Sequence, residues 1–143
     1  MEVKQATGKK EVEAMIDLRY KILRRPWDQP KETATDGLEE TSINLFITDE
    51  TGTALACGRL QENENKVGQI RYMAVDDSQQ GKGLGKKIVQ ALEKKGKELG
   101  LTKIELQARE NAVEFYKSNG YTIKEKSFLL WDLIQHYLME KEL

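Results

Sequence analysis

Apolar side chains recur along this chain at two spacings, and the switches between them predict its elements. Val12, Met15, Ile16, Leu18, Ile22 and Leu23 return near every third or fourth position, which predicts a first helix over about 10–23, after a short strand over 3–7. The run Arg24-Arg25-Pro26-Trp27-Asp28-Gln29-Pro30 holds both prolines and breaks that helix, and a polar, irregular segment continues to Thr41. Two short apolar runs, 43–48 and 53–60, are joined by Asp49-Glu50-Thr51-Gly52, a composition suited to a hairpin turn. Another turn at Glu62-Asn63-Glu64-Asn65 leads into a third strand over 66–75. A glycine-rich turn then opens a long helix, with Leu84, Ile88, Ala91, Leu92 and Leu99 on one face and Gly100 placed to end it. A strand at 104–106, a helix at 112–116 ending near Asn119-Gly120, and closing strands over 121–126 and 137–141 complete the pattern. This order implies an α+β domain with a mixed sheet.

Composition narrows the class. At 143 residues the chain is close to the commonest domain size, and no repeat, low-complexity tract or linker divides it, so one domain over 1–143 is expected. With 23 basic and 24 acidic side chains the net charge is −1, which disfavours nucleic acid as a partner. The single cysteine, Cys57, cannot form an internal disulfide and reads as a small buried strand residue. One His and one Cys leave too few soft ligands for a zinc site, so no metal is expected. The charged start lacks the apolar core of a signal peptide, and no apolar stretch approaches the roughly 18 residues a membrane span needs. A cytoplasmic location follows as the expectation. Exposed strand edges and apolar residues near the end, such as Leu138, permit a homodimer.

The informative segment is Val75-Asp76-Asp77-Ser78-Gln79-Gln80-Gly81-Lys82-Gly83-Leu84-Gly85-Lys86, between a predicted strand and a helix. Glycines there let the backbone approach a ligand, while the unpaired N–H groups of a helix start favour a phosphate. A P-loop is excluded, because Lys87 follows Gly85-Lys86 and Gln80 stands where its first glycine belongs. The dinucleotide fingerprint fails as well, since its third glycine would fall on Lys86 or Ile88.

Gln80-x-x-Gly83-x-Gly85 in this setting resembles the cofactor loop of the GNAT superfamily of N-acetyltransferases. The resemblance runs from about Ile43 onward. It includes Ala112-x-x-Phe115-Tyr116-x-x-x-Gly120-Tyr121, similar to the family's second signature, and Ile134-x-His136-x-x-Met139-x-Lys141, similar to the tail of one subgroup. It implies a GNAT-like fold with a central, mostly antiparallel mixed sheet flanked by helices. It also implies a bulged strand that splays from its neighbour, with Met73, Ala74 and Val75 along the pantetheine of acetyl-CoA. Gln80, Gly81, Lys82, Gly83, Leu84, Gly85 and Lys86 would hold the pyrophosphate. The family often has an asparagine where Arg109 stands, which leaves Asn111 as its substitute at the cofactor.

The implied reaction is transfer of an acetyl group from acetyl-CoA to a primary amine of a small molecule or peptide, by direct attack. Such attack needs an oxyanion donor, a proton for the departing sulfur and a base for the ammonium. By resemblance the Met73 N–H serves the first and Tyr116 the second, against a plain core role for that ring. Gln69 stands where some relatives carry a basic glutamate; His136, Glu40, Glu62 and Glu105 remain candidates for the third role. Arg71 and Tyr72, adjacent in a strand, are expected to face opposite ways, and Trp27 and Trp131 either line the acceptor cleft or pack elsewhere. The alternative is an acyl-CoA-binding or sensing domain with weak catalysis, which Gln69 keeps open.

Overall fold

A sheet whose central strands are apolar at consecutive positions must be covered on both faces. Leu45-Phe46-Ile47 and Leu55-Ala56-Cys57 are such runs, and all six side chains are buried. The computed structural model describes residues 1–143. Its elements are β1 (Lys4–Gln5), α1 (Gly8–Arg19), β2 (Ile43–Thr48), β3 (Ala54–Glu62), β4 (Val67–Val75), α2 (Leu84–Glu98), β5 (Lys103–Arg109), α3 (Val113–Ser118), β6 (Thr122–Leu130) and β7 (Ile134–Glu142). They build one seven-stranded sheet in the order β1-β2-β3-β4-β5-β7-β6. Only β4 and β5 are parallel; all other neighbours are antiparallel. The α+β class and the mixed, mostly antiparallel sheet expected from the sequence are what the structure has.

The helices cover opposite faces. Leu84, Ile88, Val89 and Leu92 of α2 join Leu45, Ile47, Leu60, Ile70, Ile104 and Leu106 in the larger core. On the other face Met15 and Leu18 of α1 pack against Phe46, Ala54, Cys57 and Ala74. Each fully buried aliphatic side chain in these layers contributes about 1.5–3 kcal/mol.

The first helix runs on where a break was expected. After Arg19 it continues as a π-helical turn, Tyr20–Arg24, then a 3-10 turn, Arg25–Trp27, and stops at Asp28 in the left-handed region. Pro26 is tolerated because it stands at the start of that last turn, where no helical N–H is needed. The first strand is shorter than expected, two residues only. By contrast β6 and β7 are longer. Trp131 and Asp132 both have positive φ, and the Leu133 N–H donates to the Leu130 carbonyl at 2.9 Å. A two-residue turn of this kind matches the twist of a hairpin, so the strands run on to it, with irregularities in β6 between Ile123 and Glu125 and between Lys126 and Leu129, and carry Phe128 and His136 along them.

β4 is irregular in two ways. Its ladder with β5 ends at Ile70 opposite Leu106, although both strands continue. Toward β3, Arg59 pairs with Arg71 and Cys57 with Ala74, so Tyr72 and Met73 together oppose Gly58. This is a β-bulge, with Tyr72 at φ 55°. Gly58 is required opposite it. A Cβ there would collide with the Met73 sulfur and lie 2.8 Å from Ile88 Cγ2. The bulge overturns the expectation that Arg71 and Tyr72 face opposite ways. The Arg71 guanidinium lies 4.8 Å from the Tyr72 ring centre, and Met73 packs with the α2-side core.

Candidate functional site

Where β4 and β5 stop pairing, a cleft of about 950 Å³ opens through the sheet. One wall is the end of β4 followed by the glycine turn. Gly81 and Gly83 both have φ 79°, and a Cβ built on either meets no atom within 4 Å, so the turn presents bare backbone to open space. The first hydrogen bond of α2 runs from the Lys87 N–H to the Gly83 carbonyl at 3.2 Å, and no backbone bond uses the N–H groups of residues 81–86. These free donors at a helix start, with Lys86 beside them, have the chemistry to take a diphosphate. Asp76 orders the entry to the turn: it accepts from the Ser78 N–H at 3.1 Å and from Lys21 Nζ at 2.6 Å. The Lys21 hydrogen bond, with Ser78 adding to it, holds the Asp76 carboxyl down at about 2.

Met73, Ala74, Val75, Gln80, Gly81 and Gly83 of the sequence-predicted cofactor set line this cleft, as do Leu84, Gly85, Lys86, Asn111 and Tyr116. Lys82 does not, and its part in a pyrophosphate contact loses geometric support. Tyr116 of α3 is buried edge-to-face between Phe115 and Tyr121, at 5.0 and 5.9 Å. Its hydroxyl makes no hydrogen bond within the chain and opens into the cleft. Burial pushes the phenol above its ordinary range, so it keeps its proton near neutrality. Cys57 is sealed in the core, and burial pushes its thiol up to about 11, far from a nucleophile.

The opposite end of the cleft is built by the π-helical turn, β5, β6 and β7. His136 stacks on Phe128, with ring centres 4.4 Å apart. Its Nδ1 lies 3.0 Å from the Ile134 carbonyl. A carbonyl only accepts, so Nδ1 carries the hydrogen and the Nε2 lone pair is left for other partners. Burial lowers the His136 pKa, and the neighbouring Arg109 and Arg24 lower it further. Gln69 also lines the cleft. The glutamate candidates do not. Glu105 pairs with Lys103 and Lys124, Glu40 and Glu62 are exposed, and Asp77 is the only carboxylate in the lining. Trp27 belongs to the lining, whereas Trp131 stands under the Arg24 guanidinium at 5.5 Å.

Sequence reasoning missed Arg24 and Phe128 as cleft residues and read Arg109 only as a departure from a cofactor contact. Arg109 in fact reaches away from the glycine turn and donates to the Leu23 carbonyl at 2.9 Å. The signal for Arg24 was a charge inside the apolar-aromatic run Ile22–Trp27; Phe128 carried none, because the predicted strand stopped short of it.

The model of the acetyltransferase (GNAT) family matches residues 12–121. An uncharacterized N-acetyltransferase of Bacillus subtilis, YjcF, is 28% identical over 125 residues, which cover 87% of this chain and 88% of that protein. Among solved structures, ElaA of Escherichia coli superposes with a TM-score of 0.85 at 15% identity, covering 99% of both chains. An aminoglycoside 6′-N-acetyltransferase complexed with coenzyme A superposes at 0.81 with 18% identity, covering 99% of this chain and 97% of that one. A family match across most of the chain, together with the shared fold, shows that this protein is an acetyltransferase of the GNAT family.

Proposed function

We propose that this enzyme binds acetyl-CoA along β4 and the glycine turn and transfers the acetyl group to a primary amine on a small-molecule or peptide acceptor. One observation carries the reading: a single cleft is lined by Gly81 and Gly83 to Lys86 with their free N–H groups, by the stretch of β4 beyond Ile70 that no longer pairs with β5, and by Tyr116. The relative solved with coenzyme A has the same fold, which supports a coenzyme A thioester as donor.

The thioester supplies an activated acyl carbon and a thiolate leaving group. The turn 81–86 holds the diphosphate. Residues 71–75, released from β5 and still held to β3 through Arg71, Ala74 and Val75, offer the backbone groups that face away from β3 to pantetheine. The Met73 N–H is the donor assigned to the developing oxyanion. Tyr116, kept protonated by burial, donates its proton to the sulfur. His136 Nε2 takes the proton lost by the amine, because no glutamate reaches the cleft.

Tyr116→Phe is expected to lower turnover at least tenfold, about 1.4 kcal/mol of barrier, with the coenzyme A dissociation constant within twofold of the parent. Thiol release across a panel of primary amines, together with calorimetry, measures both. Unchanged turnover removes Tyr116 as the acid, and cofactor binding without turnover on any amine favours the acyl-CoA-sensing reading instead.

A pH profile tests the base. Because the His136 pKa is lowered, Nε2 stays free to accept a proton down to below the ordinary histidine value near 6.5. Activity should therefore fall on the acid side through a pKa below that value. His136→Gln should remove this limb and cost roughly tenfold or more in kcat. An acid limb that persists in the variant assigns it to another group.

A further inference from the structure

The acceptor end of the cleft is strongly cationic and its charge is largely unmatched. Arg24 NH1 and Arg109 NH2 both donate to the same carbonyl, that of Leu23, at 3.1 and 2.9 Å. Two guanidiniums are thereby brought together at the cleft wall, and neither touches a carboxylate. Arg24 otherwise donates to the Thr33 carbonyl and lies over the Tyr72 and Trp131 rings at 5.7 and 5.5 Å, and Arg109 has no second partner. Both are half-buried. Arg71, also in the lining, reaches Asp36 at 3.0 Å, but that carboxylate is already held by both guanidinium nitrogens of Arg59. His136 stands opposite Arg109 across the β5–β7 pair.

Half-buried arginines are normally paired, since an uncompensated charge in a partly dry site is costly. Two planar forks meeting on one oxygen form a site for a planar or tetrahedral oxyanion that accepts from both. The desolvation of Arg109, with Arg24 beside it, brings its pKa down to about 10, which agrees with two crowded cations awaiting a counter-ion.

Resting on the acetyl-transfer reading above, we infer that the acceptor is a primary amine that carries its own oxyanion, a carboxylate or phosphate, seated between Arg24 and Arg109. Such an acceptor neutralises the pair. A polycationic amine adds to its repulsion. The same cations near His136 also disfavour the ammonium form of the incoming amine, which eases its deprotonation without a glutamate.

The test uses matched probes with acetyl-CoA saturating: a ladder of ω-amino acids, their amides, O-phosphoethanolamine and spermidine. Thiol release gives kcat/KM, and calorimetry into coenzyme A-loaded protein gives affinity without turnover. The amino acids or the aminophosphate should exceed the amides and spermidine at least tenfold, and which anion leads separates carboxylate from phosphate. Arg24→Gln and Arg109→Gln should each raise KM for the anionic probe at least fivefold. Coenzyme A affinity should stay within twofold, and the lysine variants should recover part of the loss. Binding of the anionic probe that depends on both arginines, but with no thiol released from any amine, upholds the oxyanion site and sinks the transfer reading. Amides or spermidine serving as well as the anions overturns the inference, as does failure of every anionic probe to bind. Weakened coenzyme A binding in the variants with acceptor preference unchanged also overturns it, because the pair would then serve the cofactor.

Discussion

Gly83→Val should fold and lose at least a hundredfold in coenzyme A affinity, about 2.7 kcal/mol. Gly83 stands at the N-cap of α2 with φ 79°, and a Cβ added to it enters the open space beside the free N–H groups of the turn. Valine introduces two faults. Its side chain fills the room a diphosphate needs, and a β-branched residue resists the left-handed backbone by roughly 1–2 kcal/mol, which turns the donors away from the ligand. Gly100 separates these effects. It has the same φ of 79° and equally open surroundings, yet it lies after α2, outside the cleft. Gly100→Val should therefore show a similar loss of stability by thermal melting and bind coenzyme A like the parent. If Gly83→Val melts like the Gly100 variant and still binds tightly in calorimetry, the turn is not the diphosphate cradle.

The features that surround this turn were legible in the sequence because they are local. Strands β2 and β3 announce themselves as apolar runs between turn residues, β4 and the middle of β5 as alternating ones, and α2 as a helical stripe after glycines. What escaped depends on contacts far apart in the chain. The turn at Trp131-Asp132 lacks the Asn-Gly or Asp-Gly signature of such hairpins, so the predicted strands stopped at 126 and resumed at 137. That gap hid Phe128 and placed His136 before a strand instead of within one. The π-helical turn after α1 was hidden too: Arg24, Arg25 and Pro26 read as a break, although the helix absorbs them and so brings Arg24 to the cleft.

The bulge shows the same division. A bulged strand was implied by resemblance, but only the structure places it at Tyr72, a residue that strand periodicity assigns to ordinary extended backbone. Its position turns both Arg71 and Tyr72 toward the α1 face and leaves Met73 on the α2 face. Arg19 and Arg59, which the sequence reading did not single out, are fully buried and stacked over the Tyr72 ring at 4.4 and 5.0 Å. Nothing within a few residues of either signals this. Their partners, Asp36 and Glu39, come from the polar segment that the sequence left undecoded.

That dependence makes Asp36→Ala the most destabilising change expected outside the apolar core. Arg59 has no exposed surface, and its two terminal nitrogens donate to the two Asp36 oxygens at 2.6 and 2.7 Å. Without Asp36 the guanidinium keeps Gln61 at 2.7 Å and Glu39 at 3.6 Å, and the latter is already engaged by Arg19 at 2.9 Å. A buried charge stripped of its close partner costs about 3–5 kcal/mol, whereas removing both charges costs much less. Chemical denaturation should show a loss near 3 kcal/mol for Asp36→Ala, and Asp36→Ala with Arg59→Met should regain part of it. The hydrogen bonds from Arg59 hold the Asp36 carboxyl at about 2, below its unfolded value of 3.8. Its contribution is therefore complete above about pH 4 and fades as the pH falls toward 2. The parent should lose stability across that window more steeply than the variant, which keeps the shares from Asp76, also held at about 2, and from the lowered Glu39 and Asp49 carboxyls. A loss under 1 kcal/mol, or identical acid limbs, would mean that Arg59 does not need this carboxylate and that the segment from Thr35 to Glu39 is held by other contacts.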